Sequence, residues 1–133
     1  MNVNDPHPFY QSPISVEELV ERYEAGERYF KLIDVSDGSD LSNSTLEGVT
    51  FEYAMLSDVD FRGANLRQVR FLNCNVKCSD FRYADLEGTI FTGSLVEATY
   101  FAGANLTAIS FAGSSVYGCE LKHGDMPDAK GEF

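Results

Sequence analysis

From Leu41 onward the chain places an apolar residue at every fifth position. The series runs Leu41, Leu46, Phe51, Leu56, Phe61, Leu66, Phe71, Val76, Phe81, Leu86, Phe91, Val96, Phe101, Leu106, Phe111, Val116, Leu121 and Met126, eighteen positions with no polar residue and no insertion. A period of five belongs neither to an α-helix nor to a β-strand. Two residues before each of these centres, from Val49 through Cys74, Ala84 and Ser94 to Gly124, stands a second series that is small or β-branched and never charged. Residues two apart on extended chain point the same way. Each five-residue unit therefore turns one small and one large side chain inward. The flanking positions carry Asp60, Arg62, Asn65, Arg67, Asp80 and Arg82 and face water.

The fifth position is often glycine, as at Gly48, Gly63, Gly88, Gly93, Gly103, Gly113 and Gly118, which suits a corner. Short extended pieces joined by corners make a coil. Stacked coils bury the inward residues in a column and pair their backbones above and below. Phenylalanine recurs every ten residues from Phe51 to Phe111, with Leu or Val between, so that like stacks on like.

Units such as "ADLEG", "ANLRQ" and "ANLTA" resemble the A(D/N)LXX units of pentapeptide-repeat proteins. The resemblance covers about residues 39–126. It implies an all-β solenoid, a right-handed quadrilateral parallel β-helix with about twenty residues per coil and hence about 4.5 coils. At the strand spacing of paired chains, the rod is roughly 20 Å long.

The ends differ. In "SVEELVERYEAG", Ser15 and Glu18 form a capping box, and Val16, Leu19, Val20 and Tyr23 make one helical stripe. A short α-helix over about 15–25, closed by Gly26, is predicted to cap the open core. Phe30 and Val35 read as first repeats in a shifted phase, and a loop around 36–40 takes up an extra residue before Leu41. The lead-in "EELVERYEAGERYF" is similar to that of many cyanobacterial members of the family. The expected organisation is an extended arm over 1–14, a capping helix and phase-shifted repeats over 15–38, the β-helix over 39–126, and a tail over 127–133 too short for a second helical cap. On this reading the last coil presents Phe111, Val116, Leu121 and Met126 at an uncovered edge. Such an edge predicts weak tail-to-tail homodimerisation or partner docking through the C-terminal end.

The formal charge is −11, with 10 basic and 21 acidic residues, which argues against nucleic acid and anionic membrane as partners. No apolar run reaches membrane-span length and no leader pattern is visible at the N-terminus. Cys74, Cys78 and Cys119 form no metal-like pair and fit a reducing cytoplasm. Cys74 and Cys119 fall at small inward positions and read as packing, whereas Cys78 falls at an outward corner.

No constellation for catalysis, cofactor or metal emerges. The recurrent Asp and Asn before each centre read as turn-forming residues, and Ser and Thr belong to the lattice. Asp60, Asp80, Tyr100 and Glu120 are expected on one side, beside Arg62, Arg82, Ala102 and Lys122, as a compensated charge ladder. Ile90, Leu95 and Tyr100 are exposed on three successive sides, and together with Met126 they form the candidate partner surface. The function expected is a non-enzymatic scaffold or protein-interaction module, with no small-molecule substrate. The resemblance also implies an alternative, an acidic DNA-mimic-like inhibitor of a type II topoisomerase, which a gyrase supercoiling assay discriminates. The rod carries only part of the charge for that role, 11 acids against 6 bases over 39–126, and it lacks the C-terminal dimerising helix of those inhibitors.

Overall fold

Ser15 opens the one α-helix among the described residues. Its side chain accepts a hydrogen bond from Glu18 N at 3.1 Å, and Glu18 Oε2 accepts one from Ile14 N at 3.1 Å. In the computed structural model, which describes residues 9–133, this helix is α1, Val16–Glu24. It ends at Gly26, whose φ of +107° only glycine adopts freely. Leu19 is fully buried, and Val16, Val20 and Tyr23 pack against the same core. The helix thus lies over the first coil, as its stripe requires.

Behind it the chain winds into a four-sided rod. Strands β1 (Tyr29–Lys31), β2 (Thr50–Glu52), β3 (Arg70–Leu72) and β4 (Ile90–Thr92) form one parallel sheet in that order. Isolated parallel bridges mark the other sides at a spacing of twenty residues, for example Asp60↔Asp80, Asn65↔Asp85 and Asn75↔Leu95. Asp34 bridges Met55 but Asp40 bridges Asp60, so the extra residue lies between Asp34 and Asp40, where Gly38 takes φ +90°.

Two phenylalanine columns run through the core, beside the buried Leu and Val centres. Phe51, Phe71, Phe91 and Phe111 stack in one, with centroids 4.5–5.5 Å apart. Phe61, Phe81 and Phe101 stack in the other at 4.9 and 5.1 Å. Between columns the rings meet edge to face, as with Phe81 and Phe91 at 85°. Small inward hydroxyls serve the backbone. Ser79 Oγ accepts from Val59 N at 3.0 Å and donates to Leu56 O at 2.6 Å, and Ser94 links Cys74 N to Phe71 O in the same way. Each would otherwise be a buried amide without a partner.

The end of the rod differs from the sequence expectation. The last parallel bridge is Leu95↔Ser115. The chain then turns at Tyr117 and Gly118, and β5 (Ser115–Val116) pairs antiparallel with β6 (Cys119–Glu120). The coil therefore stops near 116 rather than 126. Leu121 still packs on the core, but from a returning segment bonded to Gly113 and Ser114. Cys119, expected inward, is exposed, and so is Met126. The five-residue spacing persists through this stretch although the parallel stacking has ended.

The tail, expected to leave the edge open, covers part of it. Glu132 pairs antiparallel with Tyr100, Phe101 N donates to Gly131 O at 2.6 Å, and Ala98 N donates to Phe133 O at 3.1 Å. At the other end, Lys31 N donates to Tyr10 Oη at 3.0 Å and Ser12 Oγ donates to Lys31 O at 2.6 Å, so residues 10–12 lie along β1. The remainder of the expected arm, residues 1–8, falls outside the described residues.

Candidate protein interface

Four outward sides follow from the register. The first carries Asp40, Asp60, Asp80 and Tyr100 in adjacent coils. Asp60 is forked by Arg62 at 2.8–3.0 Å and Asp80 by Arg82 at 2.7–3.0 Å. The Arg62 hydrogen bond holds the Asp60 carboxyl below the usual carboxylate range, and the Ser42 hydroxyl does the same for Asp40. Glu120, expected on this side, sits in the β5–β6 hairpin. Its place beside Tyr100 is taken by Glu132, while Lys130 borders the same cleft as Ala102.

The second side carries Thr45, Asn65, Asp85 and Asn105. Here Arg67 is ion-paired with Asp85 at 3.1 Å, with Glu47 at 3.7 Å and with Glu87. On both sides the Asp or Asn before a centre accepts from the amide two residues on, as in Arg62 N to Asp60 Oδ1 at 3.0 Å and Arg67 N to Asn65 Oδ1 at 3.2 Å. These carboxylates make turns, as expected, and each has a structural partner. The third side is the β1–β4 sheet, on which Ile90 is half-buried between Arg70 and Ser110.

The fourth side is different. It carries Asp34, Met55, Asn75, Leu95 and Ser115 in successive coils. Along its leading corner Leu32 and Tyr53 occupy neighbouring coils, with Leu32 N donating to Glu52 O and Tyr53 N to Leu72 O. Leu32 is 63% exposed, Tyr53 51%, Met55 43% and Leu95 37%. Both corner residues have left-handed torsions, φ 61° and 53°, where other coils place Asn73 and Gly93. An ion pair on this side, Lys77 with Glu97 at 3.3 Å, has its acid nearly buried, and Glu97 Oε2 lacks a hydrogen-bond partner.

The sequence-predicted surface is therefore divided. Ile90, Leu95 and Tyr100 stand on three sides, and Met126 lies apart in the segment after the hairpin. Only Leu95 belongs to the fourth side. Leu32 went unnoticed because the extra residue before Leu41 hides its phase. Tyr53 and Met55 fall at outward positions of the repeat and read as exposed from the sequence, but their alignment with Leu32 depends on that phase.

Among the described residues, no group of three or more His, Cys, Asp or Glu could hold a metal ion. Nor is any helix there long and apolar enough to cross a membrane. Cys74 is buried, and burial pushes its thiol up to about 12, which makes it unreactive.

A family model of the pentapeptide repeat region matches residues 44–121. The chain belongs to the pentapeptide-repeat family. Among solved structures this pentapeptide-repeat protein is similar to HetL, involved in heterocyst differentiation regulation, from the cyanobacterium Nostoc sp. strain PCC 7120. Identity is 26% over 77% of this chain and 47% of HetL, with a TM-score of 0.45. It is similar also to Rfr23 from the cyanobacterium Cyanothece 51142, at 22% identity over 68% of this chain and 60% of Rfr23, TM-score 0.44. A third similar structure is QnrB1, a plasmid-mediated fluoroquinolone resistance protein, at 18% identity over 65% of this chain and 56% of QnrB1, TM-score 0.38. The chain thus spans less than two thirds of each of these proteins. No match is found among curated proteins.

Proposed function

We propose that this member of a generally non-enzymatic family of structural and interaction proteins is a scaffold that docks a protein partner along its fourth side. The observation that carries this reading is the exposed apolar set of Leu32, Tyr53, Met55 and Leu95 along one side of the rod. On the first side Arg62 and Arg82 fork Asp60 and Asp80, and on the second Arg67 pairs with Asp85, so part of the negative charge there is already compensated. The same pairing disfavours mimicry of a phosphate row. Aromatic and methionine side chains are the types enriched at protein interfaces, and a rigid rod presents them without an ordering cost.

Tyr53→Glu combined with Met55→Glu tests the reading. Both sites are exposed, so the fold is retained and checked by circular dichroism. Affinity capture from the native host is then compared between the intact and substituted proteins. A partner held by the first and lost by the second supports the docking side; the same partners on both would sink it.

A further inference from the structure

The C-terminal end of the rod carries a second surface, independent of the fourth side. After a turn over 128–131, residues 131–133 run antiparallel along 98–101. Phe101 N donates to Gly131 O at 2.6 Å, Ala98 N to Phe133 O at 3.1 Å, and Phe133 N to Thr99 O at 3.4 Å. The seat is selective at two positions. A Cβ on Gly131 would lie 2.7 Å from Ala102 N and 3.0 Å from Ala102 Cα, both of them backbone, and φ there is +80°. Two residues on, the Phe133 ring stands edge-on to Phe111 at 4.7 Å and to Phe101 at 6.1 Å, closing both phenylalanine columns.

The hold on this strand is slight. Phe133 and Gly131 are only half-buried. Between the hairpin and Asp128, the segment 122–127 shows only local hydrogen bonds, Asp125 N to Lys122 O and Lys122 N to Asp125 Oδ2. The seat is also only part of an edge. In the preceding coil Leu86 N and Gly88 N donate to Asn105 O and Thr107 O, whereas among the described residues Leu106 N and Ala108 N have no such acceptor.

We infer that this end is a strand-acceptor site for an extended protein segment carrying glycine two residues before a phenylalanine, closed in the resting protein by the chain's own tail. Backbone pairing gives such a site its affinity and the notch between Phe101 and Phe111 its specificity. The tail competes at the high effective concentration of a short tether. A partner segment long enough to continue past the aromatic notch or along Leu106 and Ala108 gains bonds that the tail does not make.

The probe is a fluorescent peptide of the sequence Asp128–Phe133, measured by anisotropy against the full chain and the full-length variants Gly131→Ala and Phe133→Ala. Amide protection at Phe81 and Ile90 verifies that the coils stay folded. Both variants are expected to bind the peptide at least about tenfold more tightly than the intact chain, and a peptide with Ala in place of its Gly is expected not to bind. Absence of binding to both variants, equal binding to the intact chain, or equal binding of the Ala peptide would each overturn the inference.

Discussion

The Phe133 ring stands edge-on to that of Phe111, with centroids 4.7 Å apart and planes at 81°. A column that begins at Phe30 beneath α1 is thus closed by the last residue described. Phe133→Ala is expected to cost about 1–2 kcal/mol, a half-buried aromatic's share. Hydrogen exchange is expected to speed up at Ala98 and Phe101, the donors to the tail, and to stay unchanged at Phe81. Uniform acceleration throughout the rod would contradict a purely local cap.

Inside the columns the cost is larger. Phe91 is fully buried between Phe71 at 4.5 Å and Phe111 at 5.1 Å. Phe91→Ala is expected to lower stability by about 3–5 kcal/mol, measured by urea unfolding. Ala84→Lys, which forces an ammonium into a small buried slot, is expected to cost more.

Corner torsion can be tested apart from packing. Ala98 and Ala108 hold φ of 59° and 57°. Left-handed backbone costs an alanine about 1–2 kcal/mol, and glycine's extra freedom in the unfolded chain returns about half of that gain. Ala108→Gly is therefore expected to raise stability by up to about 1 kcal/mol. Gly113→Ala, where a Cβ meets nothing closer than 3.6 Å, is expected to lower it by a similar amount through torsion alone. Thermal melts of the two variants check both signs.

Acid should weaken the rod in a defined window. Asp34, Asp40 and Asp60 are held below the usual carboxylate range, foremost by the side chains of Ser36, Ser42 and Arg62. Their contribution is complete above the unfolded pKa of about 4 and is lost as pH falls through the lower folded values. Melting temperature is expected to be flat from neutral pH down to about 5 and to decline below about 4. Asp60→Asn should shrink that decline.

The Lys77–Glu97 pair predicts non-additivity. Glu97 is nearly buried with one oxygen unpartnered, while the Lys77 side chain is 40% exposed. Lys77→Met strands the carboxylate and is expected to cost about 1–2 kcal/mol, reduced by the exposure of the lysine. The double variant Lys77→Met, Glu97→Leu is expected to recover most of this, since no buried charge remains. A double-mutant cycle by urea unfolding reads the coupling.

The coils were legible because a single rule repeats: Phe61 and Phe81 announce their stacking by spacing alone. The helix was legible from Ser15, Glu18 and Gly26, which act within one turn of it. The C-terminal end was not. Leu121 and Met126 keep the five-residue spacing after the coil has ended, and nothing local separates a residue inside another coil from one on a returning hairpin. The seat of Gly131 and Phe133 depends on Ala98, Ala102 and Phe111, distant in sequence and meaningful only once the last coil is placed. The fourth side needed the extra residue before Leu41 to be located between Asp34 and Asp40, which the bridges to Met55 and Asp60 settle.

That extra residue has a consequence for how such a chain can change length. It is absorbed at a corner, where the backbone already bends outward, and Leu41 resumes the stack directly above Phe61. One residue added within a side would instead turn every following side chain inside out until the next corner. Corners are thus the joints at which this lineage can gain or lose single residues, and whole turns of about twenty can be inserted or removed between existing ones. These two step sizes are the changes in length that leave the stacked columns in register.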